Sequence, residues 1–238
     1  MIRLDCKNKK ALIISDLHFP YSVPDWFEFL EDLHKKNNYD LIISVGDEVD
    51  FSSISFHDKD PGMLNPSKEL TDSIDCMKKL ESLFPKIYFC ESNHGSLIFR
   101  RQKFAGIPIE VIKPLDQIYG TPQFSWHDEI ILETNKGDVY ICHGKVSRPG
   151  GLSKEIGVST FQGHFHSLFN IVYSTHLTGS RFDAYVGCLA DQDKLAFAYA
   201  KNNSKKFING VGDIDENGTP RLYLYSDFIP KIPESHSS

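Results

Sequence analysis

Residues 40–50 read DLIISVGDEVD. The apolar run LIISV stops at a glycine, and carboxylates follow at Asp47, Glu48 and Asp50. A short apolar run closed by turn residues reads as a buried strand, which leaves the carboxylates in the loop beyond its carboxyl end. The flanking sequence repeats this scheme. Before it, PDWFEFLEDLHKK (24–36) spaces Trp26, Phe27, Leu30 and Leu33 as one helical face, with Pro24 and Asp25 suited to a helix start. ALIIS (11–15) is an earlier buried strand that stops at DLHFPYSVP. After it, a polar loop, FSSISFHDKDPGMLNP, ends in Pro66. SKELTDSIDCMKKLESLF (67–84) then sets Leu70, Ile74, Met77, Leu80 and Phe84 on one side of a second helix, and KIYFC (86–90) is a third strand.

Strand–helix–strand–helix–strand predicts parallel βαβ units. In such sheets, functional loops follow the carboxyl ends of the strands. Those loops are SDLH, GDEVD and ESNHG, and each carries acidic, amide or imidazole side chains. The second half changes character. EIILET, GDVYICHG, TFQGHFH, LFNIVYST, DAYVGCLA, KLAFAYAK and PRLYLYS are short runs rich in β-branched and aromatic residues, expected to be antiparallel strands of a second sheet. No linker, repeat or low-complexity segment divides the chain. The expectation is one domain over 1–228 and a fraying tail over 229–238.

The chain has 238 residues, 40% hydrophobic and 24% charged, with net charge −6. These values fit a soluble globular protein and do not advertise long-range attraction to nucleic acid. Five cysteines form no CxxC, and Cys90 and Cys142, which end apolar runs, are expected to be buried thiols in a reducing compartment. MIRLDCKNKK lacks an apolar signal core, and no run reaches membrane-spanning length. The expected location is the cytoplasm, with no membrane partner.

Candidate ligands gather at the strand ends: Asp16 and His18, Asp47, Asn93 and His94, His143, then His164 and His166. A lone histidine is more often structural than a ligand. Five successive strand ends bearing such residues argue otherwise. Two divalent cations clamp a phosphoryl group and activate water when held side by side, and a carboxylate such as Asp47 bridges them. Imidazoles suit borderline transition metals, and carboxylate and amide oxygens add harder ligands. In GHFH, an extended backbone would point His164 and His166 to the same face.

SDLHFP, GDEVD, SNHG, HGK and GHFH match, in order, the five motifs of the calcineurin-like metallophosphoesterase superfamily, which the chain resembles from about residue 11 to 200. It is also similar to phage and bacterial phosphoesterases of that superfamily that lack a large accessory domain. The resemblance implies an α/β fold, an αββα four-layer sandwich with two central mixed β-sheets and the site at the strand ends. It implies that Asp16, His18 and His166 hold one divalent metal, that Asn93, His143 and His164 hold the other, and that Asp47 bridges. It further implies that His94 contacts phosphate as catalytic acid, with Asp50 orienting histidines behind it, while a water between the metals attacks phosphorus. Manganese is the favoured metal, with iron, zinc, nickel or magnesium as alternatives.

The chain departs from the family pattern at the third motif. Ser92 stands for the usual glycine, and Gly95 for the usual acid, whose task would shift to Asp50. The arginines of the protein phosphatase branch are absent, with Phe51 after GDEVD and Glu91 and Ser92 before Asn93. Lys145 beside His143 and Arg148 in the following loop are candidate substrate-phosphate contacts; the plain alternative is a solvated loop cation. His57 is a candidate for lining the cleft, whereas RRQK (100–103) reads as a solvated helix face. His34, His127, His176 and His236 stand outside any motif and read as structural or surface residues.

Three functions compete. A phosphodiesterase or nuclease acting on nucleic acid or a nucleotide is favoured. A phosphomonoesterase would need the added charge of Lys145 or Arg148. A metal-binding scaffold, as in the retromer subunit of this fold, would be expected to have lost ligands or His94, and all are present.

Overall fold

The computed structural model describes residues 1–56, 62, 65–177, 179–194 and 206–228. Along the chain lie β1 (Ile2–Asp5), β2 (Ala11–Ile14), α1 (Trp26–Asn37), β3 (Leu41–Ser44), α2 (Pro66–Leu83), β4 (Tyr88–Cys90), α3 (Leu97–Phe104), α4 (Leu115–Tyr119), β5 (Ser125–His127) and β6 (Ile130–Thr134). They are followed by β7 (Gly137–Cys142), α5 (Leu152–Ile156), β8 (Ser159–Gln162), β9 (Phe169–His176), β10 (Gly179–Val186), β11 (Gly210–Ile214) and β12 (Pro220–Leu224).

Two six-stranded sheets form, in the orders β12-β11-β2-β3-β4-β5 and β1-β6-β7-β8-β10-β9. In the first, β2, β3, β4 and β5 run parallel, as the βαβ reading predicts. Strand alternation then builds the layers. Leu12 and Ile14 of β2 face a core shared with Trp26 and Leu30 of α1, Met77 and Leu80 of α2 and Tyr119 of α4. Ala11 and Ile13 face the other way, into a core between the sheets with Ile130, Leu132, Ile141 and Phe161. On the far side of the second sheet, Ile131, Tyr140 and Cys142 pack against Leu152 of α5. The result is the expected four-layer αββα order, with a thin outer layer over the second sheet.

The expectation of an antiparallel second sheet needs correction. That sheet is mixed: β1 pairs parallel with β6, β7 with β8 and β8 with β10, while β6–β7 and β9–β10 are antiparallel. PRLYLYS does not join it. β12 pairs antiparallel with β11, which pairs antiparallel with β2 in the first sheet. β11 is not among the strands expected from sequence, and glycines stand at two of its five positions. The structure shows why they are there: a Cβ on Gly212 would lie 2.7 Å from Val186 of the facing sheet, and one on Gly210 would lie 2.5 Å from Phe169. The stretch after Lys194 in KLAFAYAK, His57, His236 and the tail 229–238 lie outside the described residues. Cys90 and Cys142 are buried free thiols.

Candidate metal centre

Parallel pairing brings the carboxyl ends of β2, β3 and β4 to one edge, and those of β7 and β8 arrive beside them from the other sheet. The loops that follow are tied together: across the sheets, the amide of His164 donates to Asp16 Oδ2 at 2.9 Å, and within the second sheet the amide of Gly163 donates to the carbonyl of His143 at 2.9 Å. Gly163 must be a glycine, because a Cβ there would fall 1.9 Å from Ser15 Oγ and 2.5 Å from Asp16 Oδ2.

GHFH is not extended. β8 ends at Gln162, and His164 takes a left-handed backbone (φ 66°). Strand alternation therefore does not place the two histidines. The turn sends His166 to Asp16 and His18, and His164 to Asp47 and His143. Asp16 (φ 49°), His18 (φ 48°) and Asp47 (φ 50°) are left-handed as well. Such conformations cost of order 1 kcal/mol each and concentrate at functional sites.

One donor set consists of Asp16, His18 and His166. His166 Nε2 stands 3.0 Å from Asp16 Oδ1 and 3.2 Å from His18 Nε2. The other consists of Asp47, His143 and His164. His143 Nε2 lies 3.0 Å from Asp47 Oδ2 and 2.7 Å from Asn93 Oδ1, which brings the exposed Asn93 into the set. Asp47 Oδ2 also lies 3.8 Å from His18 Nε2, so one carboxylate oxygen stands between the two sets.

The buried imidazoles are held by acceptors behind them. His18 Nδ1 is 2.6 Å from Asp50 Oδ1, and His143 Nδ1 is 3.1 Å from the carbonyl of Val45. Both nitrogens therefore donate, and both Nε2 atoms face the donor sets, as acceptors behind metal-ligating histidines arrange them. Burial pulls the His18 pKa down, but Asp16 and Asp50 more than offset this and push it up to about 10. Burial likewise lowers His143, and Asp47 raises it on balance to about 9. Burial opposes ionisation of Asp16 and Asp47, yet the facing imidazoles hold both carboxyls below the usual range. Desolvation and the neighbouring His143 lower the pKa of His164.

This donor set fits divalent cations. Two nitrogens bonded at roughly 2.1 Å to one ion stand roughly 3.0–3.4 Å apart for octahedral to tetrahedral angles. The His18–His166 separation of 3.2 Å meets that. Mixed nitrogen and oxygen donors suit borderline metals. His18, Asp50 and His94 also converge, but their short contacts are hydrogen bonds that orient rings.

The His94 amide donates to Asp47 Oδ1 at 2.9 Å, and its Nδ1 meets the Asp50 carbonyl. A carbonyl only accepts, so Nδ1 carries the proton and Nε2 faces outward. Asp50 Oδ1 lies 3.5 Å from the same nitrogen. A cavity of about 440 Å³ opens beside His143 and His164, lined also by Asn93, Glu91, Asp128 and Lys145. The ammonium of Lys145 is engaged by Glu129 Oε1 and Tyr140 Oη. Arg148 is exposed and does not line the cavity.

Sequence reading missed the supports. Ser92 Oγ accepts from the amides of Asp47 (2.9 Å) and Gly95 (3.1 Å), tying the second motif to the third. Its place in a motif that normally has glycine was the available signal. Glu48 is fully buried, and Trp126 Nε1 donates to its Oε1 at 2.8 Å. Desolvation pushes its pKa up to about 7. Nothing in the local sequence marks that partner, which arrives from β5.

The family model described as calcineurin-like phosphoesterase matches residues 9–178. No curated protein matches the chain. Among solved structures, the chain is similar to Vacuolar Protein Sorting 29 from Cryptosporidium parvum, with 11% identity, 91% of this chain and 96% of that chain covered, and a TM-score of 0.47. A single mutant of the same-named protein from Entamoeba histolytica gives 10%, 92%, 93% and 0.48 in the same order. The one from Chaetomium thermophilum gives 10%, 91%, 94% and 0.44.

Proposed function

The chain belongs to the calcineurin-like phosphoesterase family, and from that premise we propose that it is a dinuclear, metal-dependent phosphodiesterase. The observation that carries this reading is Asp47 Oδ2, set 3.0 Å from His143 Nε2 and 3.8 Å from His18 Nε2, between two converging donor sets. Asp16, His18 and His166 would hold one cation, Asn93, His143 and His164 the other, and Asp47 both. Manganese is the proposed metal. Bound divalent cations supply positive charge to phosphoryl oxygens and lower the pKa of water towards neutrality.

The chain's own residues do the rest. Asp50 and the Val45 carbonyl fix which nitrogens of His18 and His143 face the site. The Asp50 carbonyl keeps a proton on His94 Nδ1. When His94 is protonated, its outward Nε2–H donates to the departing ester oxygen, and Asp50 Oδ1 stabilises the imidazolium from 3.5 Å.

The diester preference rests on charge. A monoester dianion needs extra cations at its oxygens. Lys145 is already paired with Glu129, Arg148 is not at the cavity, and Glu91 and Asp128 add negative charge to the rim. A singly charged diester is the better match.

The test compares bis(p-nitrophenyl) phosphate with p-nitrophenyl phosphate, using metal-stripped protein refilled with manganese. The account expects diester turnover that exceeds monoester turnover and falls at least about 100-fold in His94→Ala, within the range of general acid catalysis. Monoester preference would overturn the diester assignment, and diester turnover indifferent to His94 would overturn the site.

A further inference from the structure

One surface next to this site has no part in the chemistry above. Helix α3 starts three residues after His94. Arg100 Nη2 donates to the carbonyl of Asn93, and Arg101 donates to the carbonyls of Ile54 and Ser55. The loop carrying Phe56 is thereby anchored to the helix. The Arg101 guanidinium lies 3.7 Å from the Phe56 ring centroid. Phe104, one turn beyond Arg100, meets Phe56 edge to face at 5.7 Å. These rings pack on each other and on cations, yet Phe56 is 49% exposed and Phe104 78% exposed. Lys103 and Arg100 are exposed alongside. In a chain of net charge −6, this is a concentrated basic and aromatic strip. It runs roughly 6 Å along the helix from Arg100 to Phe104, and Arg100 ties it to the carbonyl of a candidate metal-site residue.

We propose that this α3 strip binds single-stranded nucleic acid whose backbone leads into the metal centre. The inference rests on the phosphodiesterase reading and names its substrate class. Exposed rings interleaved with arginine and lysine offer the two things an unpaired strand presents: base faces for stacking and phosphates for charge pairing. A duplex keeps its base faces stacked inside and cannot use Phe104. Direction follows from charge as well. Glu91 and Asp128 line the cavity and repel a polyanion there, whereas Arg100, Arg101 and Lys103 on the helix attract one. A protein partner or a lipid surface could also cover exposed apolar groups such as Ile109, 75% exposed. Neither requires a cationic strip tied to the metal site.

The experiment measures fluorescence anisotropy of a labelled oligothymidine of roughly ten nucleotides, within the usual range for such grooves. The protein is the manganese-loaded His94→Ala chain, so the probe is not consumed. Binding stronger than to a duplex of equal length is expected. Phe104→Ala should weaken it roughly tenfold, the order of one lost stacking contact. Arg100→Ala and Lys103→Ala should each flatten the dependence of log K on log salt by roughly 0.7. Because Phe104 and Lys103 are exposed, melting temperatures should hold. Absence of oligonucleotide binding, equal binding of duplex, or binding unchanged in Phe104→Ala overturns the proposal. So does a Phe104-dependent dimer or Phe104-dependent capture by anionic vesicles in place of oligonucleotide. Chromogenic diester turnover separates the two readings: turnover without oligonucleotide binding removes only the strip, and oligonucleotide binding without turnover removes the diesterase.

Discussion

Glu48 and Gly95 share one space. A Cβ placed on Gly95 would lie 3.3 Å from Glu48 Oε1 and 3.7 Å from Oε2. The acid that the third motif lacks has a buried counterpart next door, contributed by the second motif. Restoring an acid in Gly95→Glu would push two carboxyls together without solvent and crowd Ser92 Oγ, 2.9 Å from the same Cβ. The expected cost is about 3 kcal/mol, the order for an uncompensated buried charge. Thermal melts check this, and Glu48→Ala combined with Gly95→Glu should recover much of the loss.

Asp50 faces two imidazoles, at 2.6 Å from His18 Nδ1 and 3.5 Å from His94 Nδ1. Asp50→Ala would leave the buried His18 Nδ1 proton without this acceptor and free that ring to turn, while the backbone carbonyl of residue 50 still holds His94. Turnover should fall by about 10–100-fold, typical of losing an outer-shell carboxylate. Manganese affinity, measured by equilibrium dialysis, should fall with it. Unchanged affinity would mean that Asp50 does not orient His18.

Gly163→Ala tests how closely the sheets' strand-end loops must approach. The new methyl would occupy the place of Ser15 Oγ, 1.9 Å away. Asp16 or the His164–His166 turn must then shift, and manganese binding should weaken at least about tenfold, the smaller end of what disturbing the groups that orient metal ligands costs. Ser15→Gly in the same chain should restore part of it, because it removes the clashing hydroxyl.

One buried and one half-buried thiol predict an alkaline limit. Burial pushes Cys6 and Cys76 up from an ordinary value of 9.0 to about 11. Between about pH 9 and pH 11 the unfolded chain sheds thiol protons that the folded chain keeps. The unfolded state then binds fewer protons, so stability falls as pH rises. Melting temperature should drop across that window, and Cys6→Ala with Cys76→Ala should make the drop shallower.

Much of this was legible because it depends on local pattern. The apolar runs of β2, β3 and β4 and the spacing of α1 and α2 set the βαβ half, and the ligand-rich loops follow from where those strands stop. What escaped was decided across the fold. β1 is a short edge strand with only Leu4 buried, and its pairing with β6 spans most of the chain. β11 hides behind glycines whose reason is the facing sheet. The turn at GHFH sits where Gly163 leaves no room for a Cβ beside Ser15 and the His164 amide reaches Asp16, which no local period encodes. Glu48 and Trp126 meet only because β5 lies beside β4.

The most direct measurement is anomalous diffraction at the manganese edge from crystals of the metal-loaded chain. The account predicts two peaks per chain, one among Asp16, His18 and His166, the other among Asn93, His143 and His164, with Asp47 touching both. A single peak, or two peaks of which neither contacts Asp47, would contradict the dinuclear centre on which the rest depends.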